Sequence, residues 1–397
     1  MRIAQLAPPW IQVPPSNYGG IEWVVALLCD ELVRRGHDVT LFATGDSRTK
    51  AHLRYVFDLG QTEKMGECLP DAMHVSAAFQ SAGEFDLIHD HSGFLGVAFS
   101  SFIETPVLHT LHGAFTSDVT KFYTAFAESC YYNAISEYQR GCCPSLRYVD
   151  TVYNAIDVED YPFSNEKEGF ALMISRISPD KGTHLAIKVA QEAGIRLVLA
   201  GKIDSGVDQR YFESMVEPGI DGDRVRFVGE VTESEKRQLM SSASCFLFPI
   251  QWPEPFGLVM AEAMAAGTPV VAIRNGSVPE VVRDGKTGFV VDTPEEMVPK
   301  IAELGEIDPR ECRSHVERNF SPSKMAEAYE RNYWRILEEA VEPSPAFAVG
   351  TSVRGGTDDI STEPRFAGAA ERAGKPSGRN GDRERHRRHN LPDSSKS

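Results

Sequence analysis

The chain has 397 residues, 42% of them hydrophobic, which is enough for two folded domains and excludes global disorder. Acidic residues outnumber basic ones by 57 to 41 and the formal net charge is -16, so nucleic acid is a poor partner for it. No apolar run reaches the roughly 18 residues of a membrane span, and the seven cysteines have no disulfide or zinc spacing. The start, MRIAQLAPPW, does not resemble a secretory signal. We therefore expect reduced thiols and a cytoplasmic location.

The first half of the chain alternates short apolar segments with helical patterns. Residues 2–6 predict a strand, residues 14–20 a loop rich in Pro and Gly, and residues 21–36 a helix with one apolar face. A strand over 38–42 completes a strand–helix–strand unit, which implies parallel pairing and a right-handed crossover. Further strands are predicted over 86–89, 107–111, 132–135 and 148–152.

A second series of the same kind follows a linker at 161–165. Its strands are predicted over 170–174, 196–200, 225–228, 245–248 and 270–273. A last helix has one apolar face, and the sequence after it is rich in Gly, Ser, Pro, Asp and Arg, which is typical of disorder. The pattern predicts an α/β fold with a Rossmann-like N-terminal domain (1–160), a second Rossmann-like domain (161–320), a helix crossing back to the first domain (321–340) and a disordered tail (341–397).

The strongest chemical signal is a pair of acids eight positions apart, Glu254 and Glu262, across the predicted start of a helix at Gly257. Free N–H groups at a helix start can bind a diphosphate, and carboxylates suit the vicinal hydroxyls of a sugar or ribose. Alternatively, Glu254 only favours the helix start and Glu262 is solvated. Glu262 lies in an Ala- and Met-rich stretch, 260–266, where an unpaired charge is costly, and this favours a ligand role.

A second signal is the pair Arg176 and Lys181, which brackets a turn directly after a predicted strand. Two cations in a loop are often ordinary surface charges. Ligands of α/β folds bind at the carboxyl ends of strands, however, and this position favours neutralisation of a leaving diphosphate.

Two weaker signals lie in the first half. Gly19 and Gly20 allow the backbone to approach a ligand at the start of the first helix, although tight turns also use glycine. His112 follows a predicted strand and could approach a reacting group, although a lone histidine is more often structural.

Two further patterns suggest a metal site but are better explained otherwise. Asp221 and Asp223 form an Asp-x-Asp pattern in a Gly-rich segment, where turn formation is the simpler interpretation. The His89-Asp90-His91 segment lacks further ligands, and we expect it to shape the acceptor side of a cleft.

These motifs, in their order along the chain, resemble those of glycosyltransferase family 4, the retaining enzymes of GT-B architecture. The resemblance covers residues 1–340. The segment 152–157 is similar to the interdomain segment of that family, with Ala155 in place of Gly, and 277–280 and 284–289 match its later loops. The resemblance implies two Rossmann-like domains that face an interdomain cleft, with the donor bound to the second.

For the second domain, the resemblance implies that Arg176 and Lys181 hold the donor diphosphate, Glu262 the ribose and Glu254 the transferred sugar. The donor-binding residues would also include Phe256, the amides of Gly257 and Leu258, and Gly229 beside the base.

For the first domain, the resemblance implies that Gly19 and Gly20 close over the donor and that His112 lies near the anomeric centre. Catalytic roles would fall to Arg176, Lys181, Glu254 and His112. No metal and no cofactor would be needed.

The function expected from this resemblance is retaining transfer of a hexosyl group from a nucleotide diphosphate sugar to an unidentified hydroxylated acceptor. UDP-glucose or a similar donor is favoured. The alternatives are a nucleotide-sugar epimerase on the same fold and a non-catalytic module that binds sugar nucleotides. Relatives can contact membranes peripherally, but no basic amphipathic helix in this sequence indicates such contact.

Overall fold

The computed structural model describes residues 1–16 and 19–341, with the backbone alone for Val341. The tail predicted over 341–397 therefore lies outside the described residues, apart from the Val341 backbone.

The first domain is built on a seven-stranded sheet in which all neighbouring strands are parallel. The strands are β1 (Arg2–Leu6), β2 (Asp38–Ala43), β3 (His52–Tyr55), β4 (Leu87–Asp90), β5 (Val107–Thr110), β6 (Tyr131–Ala134) and β7 (Tyr148–Thr151). Their order across the sheet is β3-β2-β1-β4-β5-β6-β7. The helices are α1 (Gly20–Arg34), α2 (Cys68–Gln80), α3 (Phe94–Ser100), α4 (Ser117–Ala125) and α5 (Glu137–Cys142).

The second domain has a six-stranded parallel sheet. Its strands are β8 (Phe170–Ile174), β9 (Arg196–Ala200), β10 (Val225–Phe227), β11 (Cys245–Phe248), β12 (Val270–Ile273) and β13 (Gly288–Val291), in the order β10-β9-β8-β11-β12-β13. The remaining helices are α6 (Thr183–Ala193), α7 (Val207–Tyr211), α8 (Glu233–Ser242), α9 (Leu258–Ala265), α10 (Val278–Val281), α11 (Pro294–Ala302), α12 (Pro309–Asn319) and α13 (Pro322–Val341).

The central strands of the second sheet are apolar on both faces because helices cover both sides of a parallel sheet. All four residues of β11 are buried, as are all four of β12. Every strand predicted from the sequence is present, with each end within one residue of the prediction. β3 and β13 were not predicted. β3 is an edge strand that is mostly exposed, and β13 is an edge strand of the second sheet.

The last helix, α13, packs against α1 and the first sheet. Met325, Tyr329, Tyr333 and Ile336 recur at helical spacing and are buried in one cluster with apolar residues of β1 and α1. The final element of the described chain therefore completes the core of the first domain.

Each sheet reverses its strand order at one point, between β1 and β4 in the first domain and between β8 and β11 in the second. In open parallel sheets, ligands bind beside the carboxyl ends of the strands at such a reversal. The segments that follow β8 and β11 carry Arg176, Lys181 and Glu254. The topology therefore places these predicted site residues where the fold favours a ligand.

A carboxylate of the second domain caps a helix of the first. Glu280 of α10 accepts hydrogen bonds from the backbone N–H groups of Glu137 (2.7 Å) and Tyr138 (2.8 Å), at the start of α5. It also accepts one from the hydroxyl of Tyr153, at 3.0 Å. A negative charge at a helix start is favourable, so this contact ties the two domains together.

We expect Glu280→Ala to lower the free energy of unfolding by about 1.5 to 3 kcal/mol, because it removes three hydrogen bonds to one charged group. The thermal midpoint should fall by about 2 to 5 °C. The control is Glu192→Ala, which removes a half-exposed carboxylate whose nearest cation is 4.0 Å away. Equal midpoints for the two variants would contradict a role of Glu280 in joining the domains.

Candidate functional site

The turn after β8 packs closely against the segment that follows β11. Gly182 has φ of +72°, and a Cβ there would lie 2.2 Å from the carbonyl oxygen of Pro249. Only glycine fits this close approach. The backbone N–H of Gln251 also donates to the carbonyl of Asp180, at 2.8 Å. The two predicted motifs, far apart in sequence, are thereby brought side by side.

Lys181 and Glu254 form an ion pair in this region. The Nζ atom of Lys181 is 2.8 Å from Oε2 of Glu254, and their side chains are 18% and 13% exposed. The indole N–H of Trp252 donates to the same oxygen at 3.0 Å, and the Lys181 Nζ lies 4.8 Å from the centroid of the indole ring. Oε1 of Glu254 has no hydrogen bond to any described residue. The carboxylate is thus fixed through one oxygen and offers the other to a ligand.

Arg176 is held much less firmly than Lys181. Its side chain is 46% exposed, and its contacts to Asp180 and Asp208 are 3.4 and 3.5 Å long. Exposed ion pairs of this kind contribute little to stability. The guanidinium can therefore turn toward an anionic ligand at small cost.

Glu262 is also fixed through one oxygen. Its Oε1 accepts hydrogen bonds from the Tyr161 hydroxyl and from Lys236 Nζ, both at 2.9 Å. Neither partner was predicted from the sequence, and together they compensate the carboxylate charge within the protein. Burial alone would lower the pKa of Lys236, but the carboxylates of Glu262 and Glu233 raise it above its usual value. Oε2 of Glu262 has no partner among the described residues.

Helix α9 begins directly after a glycine in the left-handed region, Gly257, whose φ is +78°. The Phe256 side chain is 2% exposed and packs near Tyr153 and Phe320, with ring centroids 6.2 and 5.5 Å away. The donor contact predicted for Phe256 is therefore restricted to its backbone. The first N–H groups of α9 have no preceding helical carbonyl, which makes them available to an anion.

The glycine loop of the first domain meets α9 of the second. A Cβ on Gly20 would lie 3.3 Å from Cδ1 of Leu258, and Leu258 packs against the cores of both domains. A Cβ on Gly19 would lie 2.9 Å from Oε2 of Glu22, a residue that is not among the predicted site residues. Burial raises the pKa of the Glu22 carboxyl to about 7.

Gly229 follows β10 at the same edge of the second sheet, with φ of +76°. Its carbonyl accepts a hydrogen bond from the N–H of Gly201, at 2.8 Å. A Cβ on Gly201 would lie 1.7 Å from the carbonyl oxygen of Ser175, so a side chain at that position cannot be accommodated. Gly201 was not predicted as a site residue, although a glycine directly after a buried strand is a detectable signal.

His112 lies at the carboxyl edge of the first sheet, directly after β5. Its Nε2 atom is 2.9 Å from Nδ1 of His91. Burial, together with the nearby His109, lowers the pKa of His112 to about 3, so the ring is neutral near pH 7. His89 and His91 are 0% and 2% exposed, so they could shape the acceptor side of a cleft only through the residues that they contact. The His91 ring contacts His112 directly, and the His89 ring packs against His91, with ring centroids 4.0 Å apart.

The Asp-x-Asp pattern forms a turn. Oδ1 of Asp221 accepts hydrogen bonds from the backbone N–H groups of Asp223 and Val225, both at 2.9 Å. Within residues 1–16 and 19–341, no group of three or more His, Cys, Asp or Glu side chains is arranged to hold a metal ion.

In the same part of the chain, no helix is both long and apolar enough to cross a bilayer. All seven cysteines lie in the described residues, and none forms a disulfide.

Comparison with known proteins agrees with this geometry. A family model described as Glycosyltransferase Family 4 matches residues 18–159, and one described as Glycosyl transferases group 1 matches residues 159–319. Glycogen synthase of Mycobacterium tuberculosis is 24% identical, over 88% of this chain and 98% of its own.

Solved structures show the same architecture. AviGT4, a glycosyltransferase involved in avilamycin A biosynthesis, is 27% identical with a TM-score of 0.64, over 85% of this chain and 98% of its own. Alr3699/HepE of Anabaena, solved in complex with UDP-glucose, is 20% identical with a TM-score of 0.65, over 84% of this chain and 100% of its own. The two family models together span residues 18–319, which include every described strand except β1 and the site residues from Gly19 to Glu262. The chain therefore belongs to glycosyltransferase family 4 and has the GT-B architecture of two parallel-sheet α/β domains.

Proposed function

We propose that the protein is a retaining glycosyltransferase that moves a hexosyl group from a nucleotide diphosphate sugar to a hydroxylated acceptor without a metal ion. The observation that carries this proposal is the pair Lys181 and Glu254 at the carboxyl edge of the second sheet. The pair places a cation beside a carboxylate with one free oxygen, close to the start of α9. A sugar diphosphate presents the matching groups, an anion and adjacent hydroxyls.

The chemical step breaks the bond between the anomeric carbon and the diphosphate oxygen and forms a bond from the same carbon to the acceptor oxygen. The departing phosphate takes the acceptor proton, so no protein base is required. Lys181, Arg176 and the amides of Gly257 and Leu258 stabilise the charge that develops on the diphosphate. Prearranged donors that stabilise such charge commonly make the greatest single contribution to catalysis.

The two free carboxylate oxygens define two further contacts. Oε1 of Glu254 accepts hydrogen bonds from hydroxyls of the transferred sugar, and Oε2 of Glu262 accepts them from the ribose. Gly229 lies beside the base, and the Gly19-Gly20 loop closes the donor site from the first domain. His112 acts as a neutral group near the anomeric carbon.

The donor and the compartment are part of the proposal. UDP-glucose is favoured because a protein of the same fold, HepE of Anabaena, is known with that donor, which is an argument by fold analogy. A cytoplasmic location is supported by seven cysteines without a disulfide. We also propose a domain boundary near residue 160, because this position lies between β7, the last strand of the first sheet, and β8, the first strand of the second.

The test is release of nucleoside diphosphate from UDP-, GDP- and ADP-glucose in the presence of EDTA. We expect slow release from one donor, reduced at least about tenfold in Glu262→Ala and Arg176→Ala because each removes a charged contact to the donor. Arg318→Ala is the matched control, since Arg318 is 56% exposed on α12 and pairs only with Glu311 among the described residues. That variant should keep the wild-type rate.

The alternatives give different results in the same assay. A nucleotide-sugar epimerase would convert the donor to an epimer of its sugar without needing an acceptor. A binding module would show a donor-dependent shift in melting temperature but no release with any acceptor. If no nucleotide is released and none shifts the melting temperature, the assignment of a nucleotide-sugar site is wrong.

A further inference from the structure

The core of the first domain contains a continuous chain of hydrogen-bonded polar side chains that begins at His112 and ends on strand β6. We call it the polar chain, and its members are His112, His91, Gln5, Tyr333, His89, Thr110, Tyr329 and Asn133. All of them except His112 are at most 2% exposed. Burying polar groups is costly unless each finds a partner, and an apolar core would be at least as stable. The polar chain therefore calls for an explanation other than stability.

The half nearest the site runs from His112 to helix α13. His112 Nε2 is 2.9 Å from His91 Nδ1, and His91 Nε2 is 3.1 Å from Oε1 of Gln5. The amide nitrogen of Gln5 donates to the hydroxyl of Tyr333 at 3.1 Å. The Tyr333 hydroxyl is in turn 2.7 Å from Nδ1 of His89.

The far half anchors the same helix. His89 Nε2 is 2.7 Å from Oγ1 of Thr110, and that oxygen is 3.0 Å from the hydroxyl of Tyr329. Asn133 donates to the Tyr329 hydroxyl at 3.0 Å. Tyr329 and Tyr333 of α13 therefore hydrogen-bond to polar side chains of the first sheet, although α13 is the last helix of the described chain.

The Gln5 amide determines which atoms donate and which accept in this half of the polar chain. Its oxygen can only accept, so His91 must donate from Nε2 and keep a lone pair on Nδ1. His112 must then donate from Nε2 to His91. Neutral imidazole carries one proton, so the lone pair of His112 lies on Nδ1.

The Nδ1 atom of His112 belongs to a partly buried side chain. It has no hydrogen bond to a described residue, and it is not among the buried polar atoms that lack a partner. The ring lies at the carboxyl edge of the first sheet, where the fold favours a ligand. The ring stays neutral because burial lowers its pKa to about 3, so Nδ1 can accept a hydrogen bond from a hydroxyl.

We propose that Tyr333 and Gln5 are positioning residues, which hold His112 in the tautomer whose Nδ1 accepts a hydrogen bond from a substrate hydroxyl. The inference rests on the proposed function for the identity of that hydroxyl. The placement of the proton follows from the polar chain and from the neutral state of His91 and His112. The C-terminal helix α13 is in this way part of the active centre of the first domain, although it follows the whole second domain in sequence.

The first experiment measures the tautomer of His112 in the wild-type protein by ¹⁵N NMR of histidine-labelled material. The signals are assigned by their loss in His112→Gln. We expect a protonated Nε2 and an unprotonated Nδ1. A protonated Nδ1 would overturn the proposal. This measurement needs neither activity nor a variant of Tyr333, so its result is independent of whether the protein proves to be a glycosyltransferase.

The second experiment uses Tyr333→Phe, which removes only the hydroxyl that links Gln5 to His89. We expect kcat for donor cleavage to fall about tenfold with little change in donor KM, as for loss of one hydrogen bond. The His112 nitrogen signals should shift toward a mixture of tautomers. The control is Tyr132→Phe, whose buried side chain donates to the carbonyl of Phe126 at 2.7 Å, outside the polar chain. If both variants keep the wild-type His112 signals and the same kcat, Tyr333 is structural and the proposal fails.

Discussion

Replacement of Lys181 by methionine is expected to slow cleavage of the nucleotide sugar by about 100-fold or more, the usual effect of removing one prearranged donor from a developing negative charge. The Lys181 side chain is only 18% exposed, so water screens its charge poorly. Methionine keeps much of the side-chain volume beside Trp252. The loss should therefore fall on kcat, measured as release of nucleoside diphosphate at saturating donor.

The matched control is Lys188→Met on helix α6, which begins two residues after Lys181. Lys188 is 50% exposed and pairs with Glu295 at 2.8 Å, so its replacement should leave turnover unchanged. Lys181→Met also leaves the Glu254 carboxylate without its cation. A second variant, Glu254→Gln, tests whether that unpaired carboxylate alone causes the loss of rate. A Lys181→Met rate within threefold of the control would exclude Lys181 from the diphosphate site.

A marked loss of stability in mild acid is the second large effect that we expect. Burial lowers the pKa of His74 to about 4 and that of His112 to about 3, and it places the pKa values of His89 and His91 well below 6.5. Below pH 6.5 the unfolded chain therefore binds protons at these four positions that the folded protein does not bind. Each such proton destabilises the folded state by about 1.4 kcal/mol for each pH unit.

Two carboxyl groups act in the opposite direction. Burial raises the pKa of Glu22 to about 7 and that of Asp71 to about 6, so the folded state holds their protons more tightly than the unfolded chain. For these six groups, the net uptake on unfolding near pH 5 is about two protons, and burial also lowers the pKa values of His184 and His315, which act in the same direction. The free energy of unfolding should fall by about 3 kcal/mol for each pH unit there.

Urea unfolding at several pH values between 5 and 7 measures this slope. His74→Gln should reduce it by about 1.4 kcal/mol per pH unit, because glutamine can still donate to the carbonyl of Ala7 but does not titrate. His52→Gln is the control, since His52 is 81% exposed. A slope that is the same in both variants would show that His74 does not contribute to the acid sensitivity.

The fold was predictable because buried parallel strands give short, continuous apolar segments that are easily separated from amphipathic helices. β3 lacks this signal. It lies at the sheet edge, where His52 and Arg54 face solvent, and its sequence resembles a loop. The predicted motifs also lie side by side in the structure, since β8 and β11 are adjacent and their carboxyl ends meet.

The partners of the site residues could not be predicted in the same way. Tyr161 and Lys236 reach Glu262 from 101 and 26 residues away in sequence, and no local pattern connects them to it. Trp252 is only two residues from Glu254, but its indole N–H could equally have pointed elsewhere. The polar chain joins β1, β4, β5, β6 and α13, so its partners are defined only once both ends of the polypeptide are folded together.

The position of α13 has a consequence for how the protein is made. The first domain leaves the ribosome well before the helix that closes its core, because the whole second domain is translated in between. N-terminal domains commonly fold first during synthesis. Here the part of α1 that packs against α13 stays uncovered until Pro322 and the residues after it emerge. A chain that ends before that point would lack Met325, Tyr329, Tyr333 and Ile336, which complete the core cluster of the first domain.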